Sequence, residues 1–452
     1  MLRRFLCIAL SVPMICILAA AQPDRQARAA VAPDRQARAA VAPPAAPADG
    51  TFVPGEVIVM FAPGAVKDTD LSLSAAQDLD NVADDFGGAM EATGDAKEAA
   101  LDAKSEAAIL RDILGDDFVI RDSIAFDDDL SVALVSSGSL DTASMIEKLS
   151  ADERIASAEA NCYRAPQSYD YTYSLDDPLN RYNYQANSPL AHNEAGPDTS
   201  ARGSGAEVPL STNTGSLRLT EEEKEREVVV AVVDSGILAE HEDLRNMLWE
   251  NPGDIGLEGD HGYNFYNNNT DLAPALYHGT HVSGIIAAEA GNGVGIAGTG
   301  TASGANVKIM MVSTGSAGDQ YEAANAYKEI GAYNYILKAK KRGVNIVAVN
   351  NSWTSPQPVS TIYDEIFDRL GEEGIVSFCA AGNYWTDLDN NGTEVPASGD
   401  SPYKVVVGAA GVSGEPAAFT NHGKSKVDVF APGLNVLSAV SYSCYFPNIY
   451  GP

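Results

Sequence analysis

Three short stretches of this sequence carry side chains whose types and order suit serine-type acyl transfer. VVDSGI contains Asp234, HGTHVSG begins at His278, and AAGN ends at Asn383. A neutral imidazole can take a proton from a nucleophile and return it to a leaving group. A buried carboxylate can orient that imidazole, and a side-chain amide can donate a hydrogen bond to an oxyanion. The stretches supply three of the four parts of such a site, and the nucleophile has no comparable motif.

Each of these residues also has a simpler interpretation. An aspartate at a strand end can cap a local turn, a lone histidine is more often a helix cap or a core residue, and Gly-Asn is common in left-handed turns. His281 competes with His278 as the base, but it lies one turn further into the helix and is expected to point elsewhere. HGTH lacks the acid of the HExxH zinc motif, and no third metal ligand is nearby. The order Asp, His, Asn is what favours catalysis.

From Val228 onwards the sequence alternates apolar strands with helices. VVVAVV is a continuous apolar run, as expected for a strand buried on both faces. Further strands are predicted at 307–312, 344–349, 375–380, 405–407 and 427–430, with helices at 282–290, 321–341 and 362–372. This alternation predicts an α/β fold, a parallel sheet with helices on both faces. Its ligands should gather at the carboxyl ends of the strands, where Asp234, Asn350-Asn351-Ser352 and Asn383 are placed.

These motifs resemble those of the secreted subtilisin-like serine proteases, the subtilase family S8. The resemblance runs from about Asp176 to about Val440 and includes DSGI, HEDL, HGTHVSG, NGVGIAG, NNSW, AAGN, VPAS and FAPG. It implies a subtilisin-like sheet and a secreted serine endopeptidase that works through an acyl-enzyme and is made as a zymogen. It also implies that Asp234 orients the imidazole, that His278 is the general base and acid, and that Asn383 is the oxyanion donor.

The resemblance further implies how polypeptide substrates bind. Ser352, Trp353 and Thr354 would pair with the substrate backbone as an added strand and wall the primary pocket. Ala380, Ala381 and Gly382 would form the opposite wall. Thr354 stands where the family more often has glycine, so a narrower pocket is expected.

A structural calcium ion is the cofactor that the resemblance implies. Asp243 in HEDL, the side chain of Asn292 and the carbonyl groups of Val294 and Ile296 match the family's strong site in type. Oxygen ligands on a tight loop suit that ion.

The nucleophile is not assigned. In the family it lies in GTSMAxP, at a helix start after FAPG, whereas Ser438, Ser441 and Ser443 here lack the flanking Gly-Thr and the following helix. The expectation is therefore that the chain is C-terminally truncated before the catalytic serine motif and that these 452 residues show no peptidase activity. Two alternatives remain open: a catalytically dead pseudoprotease that binds peptides, and a propeptide-type protease inhibitor.

The N-terminus is typical of a secreted protein. Residues 1–21 combine a basic start, the apolar run Phe5 to Ala20 and small residues at a cleavage position, which predicts a signal peptide. The expected location is extracellular or on the cell-envelope exterior, with no stable membrane anchor. Residues 22–50 contain PDRQARAAVA twice and then Ala and Pro, which predicts a disordered tether.

Residues 51–166 are predicted to form a small α+β domain of the ferredoxin-like kind, with strand, helix, strand, helix and strand in succession. The resemblance implies that this domain is the chain's own inhibitory propeptide, cut away between Arg164 and Asp176. Residues 167–227 are expected to be an extended surface segment that leads into the catalytic domain, residues 228–452.

Composition excludes one class of partner. The chain has 30 Lys plus Arg and 62 Asp plus Glu, a net charge of −32, which disfavours nucleic acid. Three cysteines remain after the signal peptide, too few and too scattered for a disulfide framework or a zinc site.

Overall fold

The computed structural model of the chain describes residues 52–66, 105–127, 130–163, 165–166, 219–274, 277–301, 304–315, 325–356, 360–390, 393–411, 415–433, 436 and 438–440. The predicted signal peptide and tether, and most of the predicted surface segment, lie outside these residues.

The N-terminal part forms a four-stranded antiparallel sheet. Its elements are β1 (Phe52–Phe61), α1 (which includes 105–114), β2 (Val119–Asp127), β3 (Leu130–Ser136), α2 (Thr142–Ser150) and β4 (Ile155–Cys162). The strand order β2-β3-β1-β4 and the succession β-α-β-β-α-β are those of a ferredoxin-like fold. The sequence analysis missed β2, because Arg121 and Asp122 interrupt its apolar pattern.

The second part is an α/β unit. After β5 (Ala165–Pro166) its elements are α3 (Glu221–Glu225), β6 (Val228–Asp234), β7 (Gly262–Asn264), α4 (Tyr277–Ala287), β8 (Val307–Ser313), α5 (Ala326–Lys341), β9 (Ile346–Asn351), β10 (Trp353–Pro356), α6 (Thr361–Glu372), β11 (Val376–Ala380), β12 (Glu394–Val395), β13 (Lys404–Ala410) and β14 (Val429–Pro432). Seven strands form one parallel sheet in the order β14-β13-β11-β9-β6-β8-β7, which confirms the predicted fold class. The three-residue β7 was too short to predict.

β6 lies inside the sheet, between β8 and β9. Alternate side chains of β6 lie in two apolar clusters, one on each face of the sheet. Val229, Ala231 and Val233 pack with α5 and α6 on one face. The residues between them pack on the other face, with Ile286 and Ala287 of α4. Both faces are covered, which explains the unbroken apolar sequence before Asp234.

The predicted extended segment contains a short helix, α3, at its end. Thr220 Oγ1 accepts a hydrogen bond from the Glu223 N–H, and Glu223 Oε2 accepts one from the Thr220 N–H. This capping box satisfies backbone donors at the start of the helix. Thr-x-x-Glu was the sequence signal for it.

A small antiparallel sheet, in the order β12-β10-β5, joins the two parts of the chain. Trp353 pairs with Pro166, and Thr354 pairs with Ala165. On its other edge β10 pairs with β12. Among the helices of the described ranges, none is long and apolar enough to cross a membrane. Cys162 and Cys379 are buried free thiols, and Cys444 lies outside the described residues.

Candidate active site

Asp234 and His278 are brought together at the carboxyl edge of the sheet. Asp234 is the last residue of β6, and His278 is the second residue of α4. The Nδ1 atom of His278 lies 2.9 Å from both carboxylate oxygens of Asp234, and both side chains are buried. Asp234 Oδ1 also accepts hydrogen bonds from the N–H (2.7 Å) and hydroxyl (3.1 Å) of Ser235. The carboxylate is therefore well satisfied, and it fixes the orientation of the imidazole.

The two elements that carry this pair are in close main-chain contact. A Cβ atom added to Gly279 would lie 2.2 Å from the carbonyl oxygen of Gly236, so only glycine fits there. Gly236 itself has φ +99°, in the left-handed region. The Gly279 N–H donates to Ser235 Oγ at 3.2 Å. The glycines of DSG and HGT thus set the distance between the carboxylate and the imidazole.

His281, the alternative base, points elsewhere. Its Nε2 atom lies 3.1 Å from the carbonyl oxygen of Val436. Burial, with a smaller contribution from His278, lowers the pKa of His281 to about 4.

The hydroxyl of Ser438 donates to the His281 carbonyl oxygen at 2.6 Å, so this serine is used in packing the chain against α4. Ser441 and Ser443 lie outside the described residues.

The loop that contains Asn383 follows β11 and is fixed by Asn421. The side chain of Asn421 accepts hydrogen bonds from the N–H groups of Tyr384 (2.8 Å) and Thr386 (2.9 Å) and donates to the carbonyl oxygen of Ala381 (2.9 Å). Its main-chain N–H donates to the carbonyl oxygen of Gly382. One buried side chain therefore binds the loop on both sides of Asn383.

Sequence reasoning missed Asn421, because its partners lie 35 to 40 residues away along the chain. Gly382 has φ +102°, and a Cβ atom there would lie 2.3 Å from Asn421 Nδ2. The glycine of AAGN is thus required by the same contact.

The predicted substrate-binding residues come from neighbouring strands. β9 lies between β6 and β11, and Ser352 to Thr354 follow directly on β9. The predicted opposite wall, Ala380 to Gly382, ends β11 and begins the Asn383 loop. The hydroxyl of Ser352 accepts a hydrogen bond from Asn350 Nδ2 at 2.9 Å. Thr354 is fully buried.

Hydrogen bonds connect the four residues predicted to bind calcium. Asp243 Oδ1 accepts a hydrogen bond from Asn292 Nδ2, and Oδ2 accepts one from the Ile296 N–H, both at 2.9 Å. The Val294 N–H donates to Asn292 Oδ1 at 2.9 Å, which places Val294 in the same loop turn. A Cβ atom added to Gly295 would lie 2.2 Å from Asp243 Oδ2. Burial raises the pKa of Asp243.

The carboxylate of Asp243 and the side-chain amide of Asn292 are of the oxygen-ligand type that calcium takes, whereas the main chain of Ile296 presents its N–H to Asp243. Within the described ranges no group of three or more His, Cys, Asp and Glu side chains is arranged to hold a metal. A cation at Asp243 would therefore need main-chain carbonyl oxygens as ligands.

Known proteins match the second part of the chain. The subtilase family model matches residues 225–450. The major intracellular serine protease of Bacillus subtilis (strain 168) is 32% identical over 227 residues, which cover 49% of this chain and 63% of that protein. Subtilisin of Bacillus pumilus is 30% identical over 221 residues, which cover 48% of this chain and 69% of that protein.

The chain spans between half and about two thirds of the length of these curated relatives. Among solved structures, fervidolysin from Fervidobacterium pennivorans, described as a keratinolytic enzyme related to subtilisin, superposes with a TM-score of 0.52 at 19% identity. That match covers 87% of this chain and 49% of fervidolysin, and it supports the fold. With half of its residues matched by the family model and the Asp234–His278 pair at the expected edge of the sheet, the chain belongs to the subtilase family.

Proposed function

We propose that this chain carries the propeptide and the Asp–His pair of a secreted serine endopeptidase that is made as a zymogen. The observation that carries the proposal is the buried pair in which His278 Nδ1 lies 2.9 Å from both oxygens of Asp234. The pair stands at the carboxyl edge of a parallel sheet, where such folds bind their ligands. Family membership supports peptide-bond hydrolysis as the reaction.

In the proposed reaction His278 acts through Nε2, because Asp234 occupies Nδ1. The imidazole removes the proton of a serine hydroxyl as the oxygen attacks the scissile carbonyl carbon, and Asp234 stabilises the imidazolium. The amide of Asn383 donates to the oxyanion of the tetrahedral intermediate. The imidazolium then protonates the leaving amine, and water releases the acyl group in a second round of the same steps. The serine itself is not assigned among the described residues.

Polypeptides are the proposed substrates, bound along β10. The pairing of β5 with β10 supports this, because Ala165 and Pro166 form an antiparallel strand on the edge that a substrate would use. Backbone pairing of this kind recognises an extended chain whatever its side chains.

We propose that the N-terminal domain inhibits the enzyme intramolecularly. The β5 strand covers the proposed substrate edge, and β4 caps the start of α6. Glu159 accepts hydrogen bonds from the Ser360 hydroxyl (2.6 Å) and the Thr361 N–H (3.0 Å). Glu159 is half-buried at this contact, and burial raises its pKa. Residues 1–21 are predicted to be a signal peptide, so we also propose that the protein is secreted.

Calcium is proposed as a structural cofactor held by Asp243, Asn292 and the carbonyl oxygens of Val294 and Ile296. Binding would require Asn292 to turn its amide so that the oxygen faces the ion, since its nitrogen now donates to Asp243. The ion would hold the glycine-rich loop 291–296 against Asp243. Chelation should lower the Tm of the wild-type protein and leave the Tm of Asp243→Asn unchanged; an equal Tm with and without chelator in the wild type contradicts the assignment.

A peptide-binding protein without catalysis is the second candidate. The pairing of β5 with β10 favours this function, because a peptide strand can pair with β10 without any nucleophile. A fluorophosphonate distinguishes the two functions, because it labels only a serine that a base activates. We expect the secreted product of the complete gene to be labelled and to hydrolyse a quenched fluorescent peptide. Peptide binding with neither labelling nor hydrolysis would establish the binding protein instead.

A further inference from the structure

A buried carboxylate lies between the two predicted walls of the primary pocket. Glu394, the first residue of β12, is 3% exposed. Its side chain forms a hydrogen bond with Thr354 of one wall. Its Oε2 atom lies 3.7 Å from the position that a Cβ atom would occupy on Gly382 of the other wall. Glu394 therefore closes the space between Ser352–Thr354 and Ala380–Gly382.

The described residues leave this carboxylate incompletely satisfied. Oε2 of Glu394 is buried and has no hydrogen-bond partner among them. Thr354 is the one polar partner that acts on the pKa of Glu394, which burial raises. A buried carboxylate oxygen without a donor is costly, and a cation is the partner that offsets the cost most fully.

The lysines nearest to Glu394 in the sequence are bound to other groups. Lys404 Nζ donates to the carbonyl oxygens of Pro396 (2.7 Å), Ala397 (2.9 Å) and Gly399 (2.7 Å). Lys426 Nζ binds Asp400 at 2.6 Å. Neither lysine neutralises Glu394, so within the described ranges its charge is not offset by either of them.

We propose that Glu394 determines specificity and that the enzyme prefers substrates with Lys or Arg directly before the scissile bond. The inference rests on the proposed peptidase function and names the substrate class of the same site. The aliphatic stem of such a side chain would pack between the two walls, and its charged end would meet Glu394. Thr354 stands in place of a glycine and narrows the primary pocket. A narrow pocket disfavours an aromatic substrate side chain more than it disfavours one with an unbranched aliphatic stem.

The test uses the mature protease produced from its complete gene and a set of fluorogenic peptides that differ only in the residue before the scissile bond. We expect kcat/KM for Lys or Arg to exceed that for Leu and Phe at least tenfold. In Glu394→Gln the ratio of Lys to Leu should fall at least tenfold, mainly through KM for the Lys peptide. Glu415→Gln, which alters an exposed carboxylate, is the matched control and should keep the wild-type ratio.

Two results would overturn the inference while leaving the proposed function intact: an active wild type without preference for Lys or Arg, or an unchanged ratio in an active Glu394→Gln. If Glu394→Gln does not mature, Glu394→Asp decides the matter. It retains the charge on a side chain one methylene shorter, so the preference should shift from Lys towards the longer Arg. Absence of both peptide cleavage and fluorophosphonate labelling would instead remove the proposed function.

Discussion

The main chain of Gly279 lies against Gly236 so closely that an added Cβ atom would be 2.2 Å from the Gly236 carbonyl oxygen. This contact joins the helix that presents His278 to the turn that follows Asp234. No side chain intervenes, so the separation of imidazole and carboxylate is set by backbone against backbone.

Gly279→Ala should therefore impair catalysis. The new methyl group would push α4 away from the Asp234 turn, and a displacement of about 1 Å in a catalytic group costs on the order of 10² in rate. We expect that loss in kcat for a peptide substrate. The control is Gly343→Ala, at a position with φ +100° after α5. It should lower the free energy of unfolding and leave kcat unchanged; an equal loss of kcat in both variants would contradict the role given to the Gly279 contact.

Asn421 is predicted to act through Asn383. Removal of an oxyanion donor costs on the order of 10²–10³ in kcat, so Asn383→Ala should show a loss of that size. Asn421→Ala removes the contacts that fix the loop and should lower kcat with little change in KM. Because both changes affect one donor, their combination should lose much less than the product of the single losses. Losses that multiply would show that Asn421 acts independently of Asn383.

The difference between these two asparagines shows what the sequence can reveal. Asp234, His278 and Asn383 were predicted because their signals are local: a glycine stands beside each of them, Asp234 and Asn383 follow apolar strands, and His278 stands at a helix start. Asn421 and Glu394 were missed because their contacts reach residues about 40 positions away and exist only once the strands have paired. β2 and β7 were missed for a related reason. Charged residues interrupt the apolar pattern of β2, β7 is only three residues long, and both strands are stabilised by pairing within their sheets.

Stability should fall as the pH is lowered, through His281. Burial lowers the pKa of His281 from 6.5 to about 4, so between these values the unfolded chain binds a proton that the folded chain does not. This contribution to stability is present above pH 6.5 and is lost as the pH falls towards 4, to an extent of about 3 kcal/mol. Urea unfolding at pH 7 and pH 5 measures the part lost by pH 5, about 2 kcal/mol. His281→Gln should show a smaller pH dependence than the wild type, and His422→Gln should keep the full dependence; equal slopes in all three proteins would contradict the assignment.

Maturation should cut the chain after β5. Ala165 and Pro166 pair with β10, so the bonds that follow them are the first to reach the proposed active site. We expect N-terminal sequencing of the secreted, active form to begin between residues 167 and 176. Asp234→Asn should accumulate the uncut precursor, because the cleavage is intramolecular. A mature N-terminus before residue 165, or normal processing in Asp234→Asn, would contradict self-processing at this strand.

The role of the Asp234–His278 pair is tested most directly by the peptidase activity of His278→Ala, compared with wild-type protein expressed from the complete gene. Loss of the general base costs on the order of 10⁶ in kcat in a serine protease of this family, and loss of the aspartate on the order of 10⁴. We predict that wild-type protein hydrolyses a fluorogenic peptide and that His278→Ala, at equal folded concentration, has no activity above background. Turnover by His278→Ala at a rate near that of the wild type would show that this pair does not perform the chemistry.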